Sequence, residues 1–247
     1  MTRSALITGG QQGIGLAIAQ ALHGAGWQVA IAAELPYEAD VVQAALHTMP
    51  DATYHRHDIA DIGGIPSLIE AVGPVTTLVS NAGVGAMQRG DLLDITPESF
   101  DRCHTVNLRG AFFLIQEFSK RMLHLPQDPY RSIHVITSVS AEMVSPDRAE
   151  YCISKSGAAM MTRALAARLA PDGIGVFDIR PGIIRSPMTA PVADRYDQRI
   201  ADGLIPAGRW GEPEDIARTI LPLARGDLAY ATGSIIPVDG GLSIHRL

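Results

Sequence analysis

The segment Thr8-Gly9-Gly10-Gln11-Gln12-Gly13-Ile14-Gly15 begins at the last residue of a short apolar run, Ala5–Thr8, and leads into a stretch whose apolar residues recur at helical spacing. Those residues are Ile14, Ala17, Ile18, Ala21 and Leu22. This order predicts a strand, a glycine turn and a helix. Glycines permit a tight turn and let the backbone approach a pyrophosphate at a helix N-terminus, so the segment favours a dinucleotide site. Packing alone can also require glycines, and the spacing G-x3-G-x-G departs from the common G-x-G-x-x-G pattern.

An acidic residue follows the second apolar run. That run, Trp27–Ala33, predicts a buried parallel strand, and it ends at Glu34. An acidic residue about twenty positions past the glycine turn is placed to bind the adenosine ribose hydroxyls, and it would repel a 2′-phosphate. No Arg or Lys lies in the turn, where Gln12 occupies one possible phosphate-binding position, or in residues 35–37. The sequence therefore favours NAD over NADP, with a solvated loop glutamate as the alternative.

The alternation of strands and helices continues along the chain. It predicts a helix near Val41–His47, a strand at Thr53–His57, a helix at Ile65–Val72 and a strand at Thr77–Ser80. Asp58 follows the third strand, where it can accept a hydrogen bond from an adenine amino group, and Asn81-Ala82-Gly83 follows the fourth. These are also ordinary turn residues. A long helical region, about Pro97–Leu123, carries Asn107 in its middle, where an Asn is mildly unfavourable.

Three polar side chains are predicted to meet beyond the fifth strand. This strand, Ile133–Thr137, ends at Ser138, and a helix starting near Arg148 carries Tyr151 and Lys155 on one face. A hydroxyl, a phenol and an ammonium group are what a site needs to move a proton on or off an alcohol oxygen. Further on, the sequence predicts a sixth strand at Gly175–Arg180, a capped helix start at Glu212–Asp215 and a last strand at Ile235–Val238.

Six motifs in this order resemble the short-chain dehydrogenase/reductase family over essentially the whole chain. They are Thr8-Gly9-x3-Gly13-x-Gly15, Asn81-Ala82-Gly83, Asn107, Ser138, Tyr151-x3-Lys155 and Pro181-Gly182. The resemblance implies that Tyr151 is the acid/base, that Lys155 lowers its pKa and binds the ribose, and that Ser138 orients the substrate oxygen. It also implies that Asn107 anchors a water relay. Since an ordinary tyrosine has a pKa of about 10, it needs a nearby positive charge to act near neutrality.

The resemblance also implies which residues bind cofactor and substrate. Cofactor contacts are expected from Gly9, Gln12, Gly13, Ile14, Gly15, Glu34, Asp58, Ile59, Asn81, Ala82, Gly83, Tyr151, Lys155, Pro181, Gly182, Ile184 and Ser186. Besides Ser138 and Tyr151, we expect Glu142 and Arg148 at the substrate pocket, where their charges predict a polar, polyhydroxylated or anionic substrate. Exposed surface positions are the alternative for this charged pair. Residues 185–210 resemble the family's substrate-covering lid, or else form a solvated helical excursion.

Composition limits the classes of protein to which the chain can belong. Its 247 residues, 47% hydrophobic, are enough for one full-sized α/β domain. We expect a single doubly wound Rossmann domain over residues 1–247, with a parallel seven-stranded sheet and helices on both faces. The net charge of −6 is scattered without basic runs, which argues against nucleic acid as a partner.

The cysteines and the hydropathy pattern bear on cellular context. Cys103 and Cys152 fit a reducing compartment and show no metal-ligand spacing, so no metal is expected. No apolar run is long enough for a membrane span or signal peptide, which predicts a soluble, cytoplasmic protein without membrane contact.

The sequence predicts an NAD-linked dehydrogenase of a small polar secondary alcohol, such as a sugar or polyol. The alternative is a 3-oxoacyl-(acyl-carrier-protein) reductase using NADPH, which the second half of the chain resembles. Glu34 argues against that role, and residues 170–172 lack the basic docking patch of those enzymes. A non-catalytic dinucleotide sensor is a third hypothesis, against which the intact Ser138, Tyr151 and Lys155 argue. The resemblance implies a homotetramer, with a dimer as the alternative.

Overall fold

Seven parallel strands pair in the order β3-β2-β1-β4-β5-β6-β7 in the computed structural model, which describes residues 2–246. The strands are β1 Ser4–Thr8, β2 Gln28–Ala33, β3 Thr53–Arg56, β4 Thr77–Ser80, β5 Arg131–Ile136, β6 Ile174–Pro181 and β7 Ile235–Val238. The reversal of strand order lies between β1 and β4, where sheets of this type form a ligand crevice. The predicted doubly wound α/β sheet of seven strands is confirmed.

Helices cover both faces of the sheet. They are α1 Gly13–Gly24, α2 Asp40–His47, α3 Ile65–Val72, α4 Pro97–His104, α5 Ala111–Met122, α6 Ala149–Leu169, α7 Ala193–Ala201 and α8 Pro213–Arg225. Successive residues of a strand face opposite sides, so Leu6 packs in the core with α3, α5 and α6, whereas Ile7 packs in the core with α1 and α8. Burial on both faces explains why the central strands are almost uninterrupted apolar runs.

The region from Pro97 to Leu123, predicted as one helix, is divided. A π-helical segment, Thr105–Gly110, separates α4 from α5. Gly110 lies against the loop after β3, where an added Cβ would be 2.1 Å from the carbonyl oxygen of Ile59. This close approach requires a glycine at the widened turn, and Asn107 in the same segment hydrogen-bonds to Val84 in the loop after β4. π-Bulges are often found at functional sites.

The remaining predicted elements agree with the structure to within one or two residues. Strand β5 ends at Ile136, so Ser138 lies in the loop beyond the strand. Helix α8 begins with the expected cap, in which Glu212 and Asp215 form a reciprocal capping box. Among residues 2–246, no helix combines the length and apolar character that spanning a bilayer requires.

Residues 185–210 form a small structured unit of their own around α7. Tyr196 and Ile200 of α7 pack with Ile205 and Trp210 in a separate hydrophobic cluster. The indole Nε1 of Trp210 donates a hydrogen bond of 2.6 Å to Asp197, which fixes α7 to the end of the segment.

Candidate active site

A cavity of about 530 Å³ lies at the carboxyl ends of the central strands, where the sheet topology predicts a ligand site. We call it the active-site cavity. Of the residues predicted from the sequence, it is lined by Gly9, Gln12, Gly13, Ile14, Glu34, Asp58, Ile59, Asn81, Ala82, Gly83, Ser138, Arg148, Tyr151, Lys155, Pro181, Gly182, Ile184 and Ser186. The described fold therefore brings together side chains that are distant along the chain. Gly15, Asn107 and Glu142 do not line it.

The glycine turn after β1 forms one wall of the cavity. Gly9 and Gly13 have φ angles of 65° and 55°, a backbone region that favours glycine. Gly15 has a different role, because an added Cβ there would lie 2.3 Å from the carbonyl oxygen of Gly9. Gly15 thus lets α1 pack against the turn, and its expected cofactor contact stays a prediction. The amide nitrogen of Asn81 donates to the carbonyl oxygens of Thr8 and Gly9, at 2.9 and 3.2 Å, and holds the turn in place.

The adenosine end of the cavity is formed by residues that follow β2 and β3. Glu34 is exposed there, and the Asp58 carboxylate accepts a 2.9 Å hydrogen bond from the backbone N–H of Ala60. Arg56, at the end of β3, donates its Nε to the main-chain oxygen of Glu34 at 3.2 Å. This cation lies close to Glu34 in space, although residues 35–37 contain none. The absence of Arg and Lys from the glycine turn and from residues 35–37 therefore does not mean that Glu34 has no cation near it.

Three polar atoms of the residues that line this cavity are buried without a hydrogen-bond partner. One is Nε of Arg148, and the others are Oε1 of Gln11 and Nε2 of His57, two residues that the sequence motifs do not include. Burial lowers the pKa of His57, which favours the neutral ring. Sequence reasoning missed both residues, because a Gln or His beside a strand end is unremarkable until its environment is known. Unpartnered donors and acceptors are what a polar ligand such as a dinucleotide would satisfy, so the cavity fits the cofactor that the fold implies.

The residues predicted to transfer the proton line the same cavity as the glycine turn. Ser138 accepts a 3.0 Å hydrogen bond from the backbone N–H of Ser140, which fixes the serine hydroxyl. Lys155 donates to the carbonyl oxygen of Ile136 at 3.0 Å, and its Nζ lies 5.8 Å from the ring centre of Tyr151. All three residues are buried. The arrangement brings the phenol and the serine hydroxyl together, with the ammonium group beside the tyrosine ring.

Burial and nearby polar or charged groups shift the pKa values of Tyr151 and Lys155 in opposite directions. Burial raises the pKa of Tyr151, while the Ser138 hydroxyl and the Arg148 guanidinium lower it. Burial also lowers the pKa of Lys155 to about 8, against the carboxylate of Asp178, which raises it. Ionisation of Tyr151 thus needs further positive charge, and a bound oxidised nicotinamide would supply it.

Asn107 lies outside the cavity wall. Its amide exchanges two hydrogen bonds with the backbone of Val84, at 2.8 and 2.9 Å, and also donates to Ser154 at 3.0 Å. Ser154 in turn donates to the main-chain oxygen of Tyr151 at 2.8 Å. The Asn107 side chain therefore ties the loop after β4 to the catalytic helix, and its part in a water relay stays a prediction.

The two charged residues expected at the substrate pocket are separated by the structure. Arg148 lines the cavity, and its guanidinium carbon lies 5.0 Å from the ring centre of Tyr151. Glu142 is directed elsewhere, because its carboxylate forms a 2.7 Å salt bridge with Arg180. The expectation that Glu142 contacts the substrate is thus corrected, since a buried arginine holds its carboxylate outside the cavity.

Several further cavity residues could not be inferred from motifs. The other arginines in the wall are Arg89, Arg102 and Arg199, and its apolar residues include Met143, Val144, Met188, Tyr196, Leu204 and Leu242. Thr189 also lines the cavity, and its hydroxyl donates to the main-chain oxygen of Ile184 at 2.7 Å. Within residues 2–246 no group of three His, Cys, Asp or Glu side chains is arranged to hold a metal ion.

This fold, with a glycine turn facing a serine, tyrosine and lysine across one cavity, defines a nicotinamide-dependent oxidoreductase. A family model described as Enoyl-(Acyl carrier protein) reductase matches residues 9–243. The chain belongs to the short-chain dehydrogenase/reductase family.

Similar proteins carry two kinds of name. The chain is 34% identical to the 3-oxoacyl-[acyl-carrier-protein] reductase MabA of Mycobacterium tuberculosis, over 99% of this chain and 94% of the relative. It is 45% identical to a 3-oxoacyl-[acyl-carrier protein] reductase from Brucella melitensis solved in complex with NAD. That structure has a TM-score of 0.93, and the match covers 100% of this chain and 99% of the Brucella chain. A proposed 2-deoxy-D-gluconate 3-dehydrogenase from Agrobacterium tumefaciens, solved with bound NADP, is 32% identical with a TM-score of 0.88. The match covers 98% of this chain and 97% of the Agrobacterium chain.

Proposed function

We propose that the protein interconverts a small polar secondary alcohol and its ketone with NAD(H). The observation that carries this proposal is that Ser138, Tyr151 and Lys155 line the same cavity as the glycine turn. Four arginines in the wall support a polar substrate. The similarity to a proposed gluconate-type dehydrogenase is consistent with a sugar-derived substrate.

The residues of the chain would manage the proton while the cofactor carries the hydride. When bound, the nicotinamide accepts a hydride from the carbinol carbon or returns one to the ketone. In the oxidative direction Tyr151 takes the hydroxyl proton, and Ser138 donates a hydrogen bond to the same substrate oxygen. The Lys155 ammonium stabilises the tyrosinate and is available to the ribose hydroxyls. In the reductive direction Tyr151 returns the proton.

The role of Tyr151 is tested by replacing it with Phe, which removes one hydroxyl and keeps the ring. We expect kcat to fall by about 10²- to 10⁴-fold, the usual contribution of a positioned acid/base. Tyr37→Phe, at an exposed tyrosine, is the matched control. Circular dichroism would establish that each variant is folded, and near-normal turnover by folded Tyr151→Phe would refute the proposal.

A 3-oxoacyl thioester reductase is the second candidate function. The names of the relatives favour it, and the apolar residues of the wall, among them Met143, Val144 and Met188, offer room for an acyl chain. A screen of sugars, polyols, hydroxy acids and 3-hydroxyacyl thioesters with both oxidised cofactors separates the two candidates. A thioester preferred over every polar alcohol would replace the first proposal by the second.

Three further properties remain proposals. NAD is preferred to NADP because Glu34 lies at the adenosine end of the cavity, although Arg56 is close to it. Residues 185–210 act as a lid, since Ser186, Thr189 and Arg199 contribute to the wall. Protection of this segment from hydrogen exchange on addition of NAD would support closure, and unchanged exchange would argue against it. A cytoplasmic homotetramer is the expected assembly, which light scattering would test.

A further inference from the structure

The charges that line the active-site cavity are unevenly distributed. Its two carboxylates, Glu34 and Asp58, follow β2 and β3, whereas Tyr151 lies beyond β5. From β2 to β5 there are three strand spacings, or about 14 Å. Arg148 instead lies beside Tyr151, with its guanidinium carbon 5.0 Å from the centre of the tyrosine ring. The adenosine end of the cavity therefore contains carboxylates, and the Tyr151 end contains a guanidinium group.

Arg148 is held beside Tyr151 with its charge unbalanced. One terminal nitrogen donates to the hydroxyl of Ser140 at 3.1 Å, a neutral acceptor. Its Nε is buried and has no hydrogen-bond partner. Within residues 2–246, Arg148 forms no salt bridge, although several other surface arginines do. A guanidinium with a buried, unused donor is prepared for an anionic acceptor, because leaving that donor unpaired is unfavourable.

The acidic residue that directly precedes Arg148 in the chain already has partners. The carboxylate of Asp147 pairs with Arg89 at 3.3 Å and with Arg195 at 3.5 Å, and it accepts a hydrogen bond from Ser145. Two arginines and a hydroxyl thus share a single carboxylate, which leaves a net positive charge next to Arg148. Partially buried charges of one sign in a cleft concentrate ligands of the opposite sign.

We infer that Arg148 binds a carboxylate of the substrate, so that the substrate is a short hydroxy acid or the corresponding keto acid. This inference rests on the proposed function and narrows its substrate class. The guanidinium carbon lies 5.0 Å from the ring centre of Tyr151, so the carboxylate must be only a few bonds from the carbinol. In oxidation the carbinol C–H bond breaks, its hydride passes to the oxidised nicotinamide dinucleotide and the O–H proton passes to Tyr151, leaving the keto acid.

The test compares acids with their neutral amides, which differ at the carboxylate alone. The pairs are 3-hydroxybutyrate with 3-hydroxybutyramide and gluconate with gluconamide. Binding to the Tyr151→Phe protein saturated with NAD is measured by calorimetry, so that the result does not depend on turnover. We expect at least one acid to bind about 10-fold or more tightly than its amide, a ratio typical of a charge-assisted hydrogen bond.

Variants of Arg148 complete the test. Adding Arg148→Gln to the same background should remove the preference for the acid, and Arg148→Lys should retain part of it, since it keeps the charge but loses the planar fork. Arg168→Gln is the matched control, because Arg168 is exposed near the C-terminus of α6, the helix that Arg148 precedes, and pairs with Asp172. NAD affinity should be unchanged in all three, which separates a substrate effect from a cofactor effect.

The outcomes distinguish this inference from the proposed function. The inference is overturned if the amides bind as well as the acids, or if Arg148→Gln weakens the binding of both equally. It is also overturned if neither acid binds at the highest concentration tested. A protein that oxidises neutral alcohols but shows no preference for acids retains the proposed function and loses the inference. If an acid binds in a way that depends on Arg148 but the unmodified enzyme does not turn it over, the inference about Arg148 is retained and the proposed function is contradicted.

Discussion

A buried arginine behind the catalytic site provides a quantitative test of the packing there. Arg180 pairs with Asp178 at 2.9 Å and with Glu142 at 2.7 Å. The side chains of Arg180 and Asp178 are 4% and 1% exposed, whereas that of Glu142 is 65% exposed. Thr137 also donates a hydrogen bond to Asp178. One partner of the arginine is thus completely desolvated, and the other remains in water.

This difference predicts unequal effects for two isosteric changes. Asp178→Asn leaves a buried guanidinium without its buried counter-charge, which costs about 3–5 kcal/mol of unfolding free energy. Glu142→Gln removes an exposed partner, for which about 0–1 kcal/mol is expected. For a chain of this size the first change should lower Tm by roughly 6–20 °C, and the second by less than about 4 °C.

Thermal unfolding of the two variants and of the double variant Asp178→Asn/Arg180→Met measures these differences. The double variant should recover part of the loss, because it no longer contains an unpaired buried charge. Equal Tm values for Asp178→Asn and Glu142→Gln would refute the reasoning, and so would losses that simply add in the double variant. Asp178 also raises the pKa of Lys155, so Asp178→Asn should shift the basic limb of the pH–rate profile to lower pH.

Three further predictions concern cofactor binding and the glycine turn with its helix α1. Because the pKa of Lys155 is about 8, its ammonium form is lost as pH rises through that value, and the Kd for NAD should increase there in the unmodified enzyme but not in Lys155→Met. Gly15→Ala places a Cβ 2.3 Å from the carbonyl oxygen of Gly9 and should unfold the turn. Gly24→Ala has open space around the added Cβ and should stabilise α1, so thermal unfolding should show a gain of about 0.5–1 kcal/mol in the free energy of unfolding. Glu34→Ala should raise kcat/KM for NADP about 10-fold by removing repulsion; an unchanged cofactor ratio would contradict that role.

The sequence was sufficient to predict the sheet and its strands because their hydrophobic patterns are strong and short-ranged. Strand β4 and helix α3 have the predicted bounds, and the cap at Glu212 is confirmed. The division of the long helix at Thr105–Gly110 was not predictable, because it depends on contact between Gly110 and the carbonyl of Ile59, far away in the chain. Local periodicity contains no information about such a contact.

The proximity of the predicted catalytic residues could be inferred from the sequence for a different reason. Ser138 follows a strand, and Tyr151 and Lys155 lie one turn apart on a helix, so topology and helix geometry place them together. Gly15 and Asn107 belong to the same motifs. In the structure, however, Gly15 allows a close approach to the backbone of Gly9, and the Asn107 side chain hydrogen-bonds to the backbone of Val84. A motif identifies a position that matters without specifying whether its atoms reach the ligand.

The sign of the charge around the substrate is the property that the sequence could least provide. Glu142 and Arg148 were equivalent as candidates, since both lie between Ser138 and Tyr151. The loop between them, with a short 3₁₀ turn on either side, directs one carboxylate to Arg180 and the guanidinium into the cavity. Because Glu142 does not line the cavity and Arg148 does, the substrate pocket expected to have mixed charge has a positive charge instead. Substrate class therefore depends here on tertiary placement of charges, while reaction class depends on the motifs, and the two require separate experiments.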